Sequence, residues 1–131
     1  MPLSLNPLGQ IALPVNDVDA AEKFYAEKLG LRKLYRFGNL LFFDCAGVRL
    51  LVEKSGEEPF TPTGSILYFR VPDILLHYQE LLSRGVPFID QPHLVAPMED
   101  HDLWMAFFND PAGNLLALMQ EAPKGYQPPE S

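Results

Sequence analysis

Residues 107–120 read FFNDPAGNLLALMQ, and residues 42–51 read FFDCAGVRLL. Each stretch is apolar, breaks at an Ala-Gly turn, and becomes apolar again. That pattern marks a β-hairpin, because glycine enters the left-handed turn conformations that other residues resist. Two such hairpins in one chain point to an internal repeat.

The residues upstream of each hairpin strengthen the repeat. Residues 11–18 read IALPVNDV and residues 67–74 read LYFRVPDI, each an alternating strand that ends in Val-x-Asp-aliphatic. A helical segment follows in both places, DAAEKFYAEKL over 19–29 and DILLHYQELLSR over 73–84. Ala20, Phe24 and Leu29 fall at helical spacing in the first, as do Leu75, Tyr78 and Leu82 in the second. Asp17 and Asp73 are placed to cap the helix starts. Gly30 and Gly85 stand where a helix commonly turns left-handed and stops.

The predicted strands are 9–15, 33–37, 40–45 and 48–54, then 65–71, 87–94, 103–109 and 114–120. The expected class is α+β: two βαβββ modules forming an open, cup-shaped mixed β-sheet with helices on the outside. Residues 8–54 are the first module and 65–121 the second, within one domain. The polar, Pro/Gly-rich SGEEPFTPTG (55–64) is the expected linker, and 122–131 the expected flexible tail.

Composition narrows the classes of partner. The 131 residues are 47% hydrophobic and 21% charged, which suits one globular core rather than a disordered chain. Seventeen acidic against ten basic residues, a net charge of −7, disfavours nucleic acid and anionic membranes, which need a positive face. A single cysteine, Cys45, permits no intramolecular disulfide. The N-terminal MPLSLNPLGQ lacks a basic region followed by an apolar run, so no signal peptide is expected, and no stretch suits a membrane span. A cytoplasmic location is the expectation.

With these residues in place, the chain resembles the vicinal oxygen chelate superfamily of glyoxalases, bleomycin-resistance proteins and extradiol dioxygenases. The resemblance rests on QIALPVNDV (10–18), FYAEKLGL (24–31) and FFNDPAGNLLALMQ (107–120). It implies a divalent metal held by inward strand residues of both modules. Gln10 occupies the first ligand position, usually His but Gln in some glyoxalase I proteins. The matching positions elsewhere are Leu51, Ile66 and Ala117, none of which carries a donor. A divalent ion wants about four to six N, O or S donors, so no metal centre is expected. The alternative is a Zn, Ni, Mn or Fe site using Gln10 with Glu53, His93 or His101.

Strand alternation selects the candidate ligand-binding residues. Tyr68 and Arg70 share parity with Ile66. Trp104 and Phe107 lie on the 103–108 strand, whose parity stays open between core and binding face. His101, in the acidic PMEDHD loop, is a further candidate, as are Arg36 and Arg49. Cys45 reads as a buried, inert thiol, with no histidine near it in sequence. The resulting expectation is a small-molecule-binding protein of the bleomycin-resistance kind, forming a homodimer. Two alternatives stand beside it: a metal-dependent lyase or isomerase of glyoxalase type, and a non-catalytic degenerate member.

Overall fold

A computed structural model of the chain describes residues 3, 5, 7–62 and 64–127. The chain forms two compact units, Met1–Thr63 and Gly64–Ser131. The first contains β1 (Gln10–Val15), α1 (Val18–Glu22), a π-helical turn (Lys23–Lys28), β2 (Arg32–Phe37), β3 (Leu40–Cys45) and β4 (Val48–Lys54). The second contains β5 (Leu67–Arg70), α2 (Ile74–Ser83), β6 (His93–Pro97), β7 (Asp102–Asn109) and β8 (Leu115–Ala122). Each unit is therefore βαβββ, the α+β module arrangement expected.

The two sheets share a topology. Strand order is β1-β4-β3-β2 in one and β5-β8-β7-β6 in the other. In each, the first strand pairs parallel with the last, and the remaining pairs are antiparallel. The parallel pair requires a crossover, and the helix supplies it.

Both caps form as the sequence indicates. Asp17 Oδ1 accepts from the Ala20 N–H at 3.1 Å, and Asp73 Oδ1 accepts from the Leu76 N–H at 3.1 Å. Gly30 and Gly85 adopt φ of 73° and 83°. The first helix is not α-helical throughout. From Lys23 it widens to π geometry, with the Leu29 N–H donating to the Phe24 carbonyl at 2.9 Å. The widened turn lets two consecutive aromatics, Phe24 and Tyr25, both be buried, packed edge to face at 5.2 Å. They cover Leu13, Val15, Leu41, Phe43, Leu50 and Val52, all 2% exposed or less. These are the alternate residues that period two assigns to one sheet face.

In the second helix the buried residues are Ile74 and Leu81, while Leu82 is 44% exposed. The apolar stripe keeps its spacing but is displaced by one residue. ILL and LL leave the helix apolar over more than one face, so periodicity alone did not choose between them. Ile74 is held at the helix start by a second bond, its N–H donating to buried Gln120 Oε1 at 2.9 Å.

The loop 110–114 explains its sequence. Asp110 Oδ1 accepts from the backbone N–H groups of Ala112 (2.9 Å) and Asn114 (2.8 Å), and Asp110 Oδ2 from Asn114 Nδ2 (3.0 Å). Both side chains are buried. The shorter first hairpin turns instead on Ala46 (φ 53°) and Gly47 (φ 96°), with Asp44 Oδ1 accepting from the Gly47 N–H at 3.0 Å.

Two boundaries differ from expectation. The strand expected over 87–94 begins only at His93. Pro87 and Pro92 cannot donate to a ladder, and Asp90 substitutes a side-chain bond, its Oδ1 accepting from the Phe107 N–H at 2.7 Å. The expected tail from 122 also starts later. Ala122 closes β8, and the turn after it is fastened by Lys124 Nζ to Asp102 Oδ1 (2.9 Å), the Gly125 N–H to Asp102 Oδ2 (2.9 Å), and Tyr126 edge-on to Trp104 (5.7 Å). Residues 128–131 of that tail lie outside the described residues.

Candidate functional site

In each unit the helix covers one sheet face. The other carries the positions of Gln10 and Leu51 and around Ala117 that the sequence singled out.

On the first sheet, Gln10 and Ala12 of β1 alternate with the buried Leu13 and Val15 and so lie on the helix-free face. Gln10 stands beside Arg49 in the parallel ladder, and Ala12 beside Leu51. Arg49 Nε donates to Gln10 Oε1 at 2.8 Å. The Arg49 guanidinium also lies 5.5 Å from the centre of the Phe42 ring, and Phe42 stacks on Tyr35 at 4.6 Å. Leu51 pairs with Phe42 across β3–β4, and Glu53 follows Leu51 on the same face. Tyr35 was not singled out in the sequence. A bulge between Lys33 and Tyr35 breaks the alternation of β2, so parity counted from either end of the strand is unreliable there.

On the second sheet, Tyr68 pairs with Ala117 and Arg70 with Met119 across β5–β8. Phe107 pairs with the same Ala117 from the other side, and its ring meets Tyr68 edge to face at 6.1 Å. Ala117 is fully buried beneath these two rings. Tyr68 and Phe107 are therefore brought together, and Arg70 is nearby with its Nε 3.9 Å from Glu121 Oε1. Trp104 is not with them. It shares the helix-side face with Ala106 and Phe108, and packs on Tyr126, with its Nε1 buried and without a hydrogen-bond partner among the described residues. A strand cannot direct residues 104 and 107 to one side, because an odd separation places them on opposite faces.

The polar candidates separate into local pairs. His101 Nδ1 donates to Asp100 Oδ1 at 2.7 Å, a bond that holds the Asp100 carboxyl below the usual carboxylate range. His93 Nδ1 donates to the Gln91 carbonyl at 2.8 Å. Arg36 is committed to α1, with Nη1 2.7 Å from both Asp19 Oδ1 and Glu22 Oε1. Lys33 reaches the same Glu22 at 2.6 Å, and the bonds from Lys33 and then Arg36 push the Glu22 pKa down. This cluster clamps edge strand β2 to the helix. Burial, then the charge of Asp44, raises the Cys45 thiol pKa, so less of it is thiolate near neutral pH. A hollow of about 470 Å3 is lined by Asp19, Glu22, Lys23, Ala26 and Glu27 of the first helix, and none of these residues belongs to the helix-free face of the first sheet.

The family's ligand positions do not fit a divalent ion. Gln10 offers one neutral oxygen, which already accepts from a guanidinium. A fixed positive charge at bonding distance opposes a cation at that oxygen. Leu51, Ile66 and Ala117 offer no donor atom. Among the described residues no three His, Cys, Asp or Glu side chains gather as a metal cluster.

Among the described residues no helix is long and apolar enough to cross a membrane. Comparison with known proteins places the chain. Residues 8–118 match the Glyoxalase/Bleomycin resistance protein/Dioxygenase superfamily. The uncharacterized protein YurT of Bacillus subtilis (strain 168) is 31% identical over 124 residues, covering 82% of this chain and 93% of YurT. Among solved structures, a putative glyoxalase family protein from Bacillus anthracis superposes with a TM-score of 0.77 at 19% identity, covering 92% of this chain and 99% of that one. Lactoylglutathione lyase from Agrobacterium tumefaciens gives a TM-score of 0.71 at 22% identity, over 92% and 98% of the two chains. The structural likeness, at such identities, speaks for the fold alone. Because the match runs from before β1 into β8 and so spans both modules, the chain belongs to the glyoxalase/bleomycin resistance protein/dioxygenase superfamily.

Proposed function

We propose that this chain is a small-molecule-binding member of the superfamily that works without the family's metal centre. The observation that carries the reading is the Arg49 Nε bond to Gln10 Oε1 at 2.8 Å. It puts a cationic donor at the position from which a metal would be held. On the first sheet Tyr35 with Phe42 supplies aromatic surface of the kind that binds partly apolar ligands, with Gln10 as polar anchor; on the second, taken by itself, Tyr68 with Phe107 does the same, with Arg70 and His101. Trp104 drops out of the binding set. A cytoplasmic homodimer remains part of the reading, supported by the lone cysteine and by exposed Leu94 and Val95 on edge strand β6. Sedimentation equilibrium showing only monomer would remove the dimer.

The test of the main reading is elemental analysis of protein purified without a histidine tag. The expected result is no stoichiometric divalent ion, and no lyase or isomerase activity on adding Ni, Zn, Mn or Fe. A stoichiometric ion, or activity restored by any of these metals, overturns it.

A further inference from the structure

Five arginines stand in the sequence, and four of them reach a carboxylate. Arg32 lies 4.0 Å from Asp44, Arg36 2.7 Å from Asp19, Arg70 3.9 Å from Glu121 and Arg84 3.1 Å from Glu80. Arg49 alone has no carboxylate within ion-pair distance among the described residues. Asp44 is its register neighbour across β3–β4, but Asp44 Oδ1 accepts from the Gly47 N–H and Oδ2 faces Arg32. Glu53 lies four residues along β4, roughly 13 Å at the rise of a strand. In a chain of net charge −7, solubility does not call for an unpaired cation.

Arg49 is nonetheless held in place. Nε is bonded to Gln10, and the guanidinium lies within cation–π range of Phe42. The terminal Nη groups remain, and in a guanidinium these form the fork that matches a carboxylate. Beside the fork lies a stacked pair, Tyr35 on Phe42, at 4.6 Å and 28°. Tyr35 is half-exposed, with Leu40 and Phe37 exposed along the same face.

We infer that Arg49 and the Tyr35–Phe42 platform form a subsite for a planar aromatic carboxylate. The ring of the ligand lies on the platform, and its carboxylate meets the Arg49 fork. Gln10 is the positioning residue, because its oxygen fixes Nε and thereby the plane of the fork. This inference rests on the small-molecule-binding reading and names the ligand class of the same face.

The probes are 2-naphthoate and benzoate, each paired with its neutral amide. They are titrated calorimetrically into the full-length protein, with the Arg49 Nε–Hε resonance followed by NMR. Each acid is expected to bind roughly tenfold tighter than its amide, the scale of one charge-assisted pair at a partly solvated site. The acids, not the amides, shift the Arg49 resonance, and the preference shrinks as salt is raised. Arg49→Met brings acid and amide affinities together while the amides still bind. Arg49→Lys, which keeps charge but loses the fork, retains only part of the preference. Equal binding of acid and amide to the wild-type chain overturns the subsite and leaves the small-molecule reading standing. A preference that survives Arg49→Met also overturns it. Binding of neither probe class overturns both. A stoichiometric metal overturns the metal-free reading alone.

Discussion

Replacing Asp110 with alanine should destabilise the second unit more than any exposed substitution. The side chain accepts from two backbone N–H groups and from Asn114 Nδ2, at 2.8 to 3.0 Å. Asn114 is fully buried, so its backbone N–H and amide would lose the Asp110 carboxylate in a place water does not reach. A hydrogen bond to a charged group contributes about 1.5–3 kcal/mol, and an orphaned buried donor costs about 1–3 kcal/mol. The three bonds share one carboxylate, so their effects overlap and do not sum. The expected loss is about 3–5 kcal/mol, a large part of a total stability of about 5–15 kcal/mol. Asp110→Asn keeps an oxygen for the backbone donors but sets one amide nitrogen against that of Asn114, and should cost about 1–2 kcal/mol. Urea unfolding followed by the fluorescence of Trp104, the only tryptophan and in the same unit, measures both variants. If Asp110→Ala lies within about 1 kcal/mol of wild type, the account of this loop as a carboxylate-centred turn is wrong.

Two further outcomes follow from the turns. Ala46 sits at φ 53° ahead of Gly47, a two-residue turn that favours Asn-Gly. Ala46→Asn should therefore raise stability by about 0.5–1 kcal/mol in the same denaturation assay, and a loss of stability would count against the strain. At Asp102, the Lys124 bond first and the Gly125 N–H second hold the carboxyl below its usual value. A depressed folded pKa gives stability that is complete above the unfolded value, about 3.9, and is lost as pH falls through the folded one. Acidification below about pH 4 should thus free the 123–127 turn and change Trp104 emission as Tyr126 leaves it. Asp102→Asn should abolish that acid step, and an unchanged profile would refute the assignment.

The scaffold was legible because its signals are local. Asp17, Asp73, Gly30, Gly85 and the 110–114 loop each act within a few residues, so their spacing carries the structure. The helix-free face was legible where a strand keeps strict alternation, as for Gln10 and Ala12. It was not legible where a single residue of slip changes sides. The bulge in β2 hid Tyr35, and the 103–108 strand gave no internal clue to its parity until pairing with β8 set Ala117 between Tyr68 and Phe107. The Arg49–Gln10 bond joins residues 39 apart in sequence and depends on the β1–β4 register. No local pattern reports a register between distant strands.

The parallel pairing of the first and last strand in each module has a consequence for how such a chain can diverge. Leu13, Val15, Leu50 and Val52 hold β1 and β4 to the helix, while Gln10, Ala12, Arg49 and Leu51 occupy the same two strands facing away. Substitution in the second set leaves the first set's packing intact. The helix-free face can therefore change residue by residue on a foundation that stays still, without the sequence passing through an unfolded intermediate.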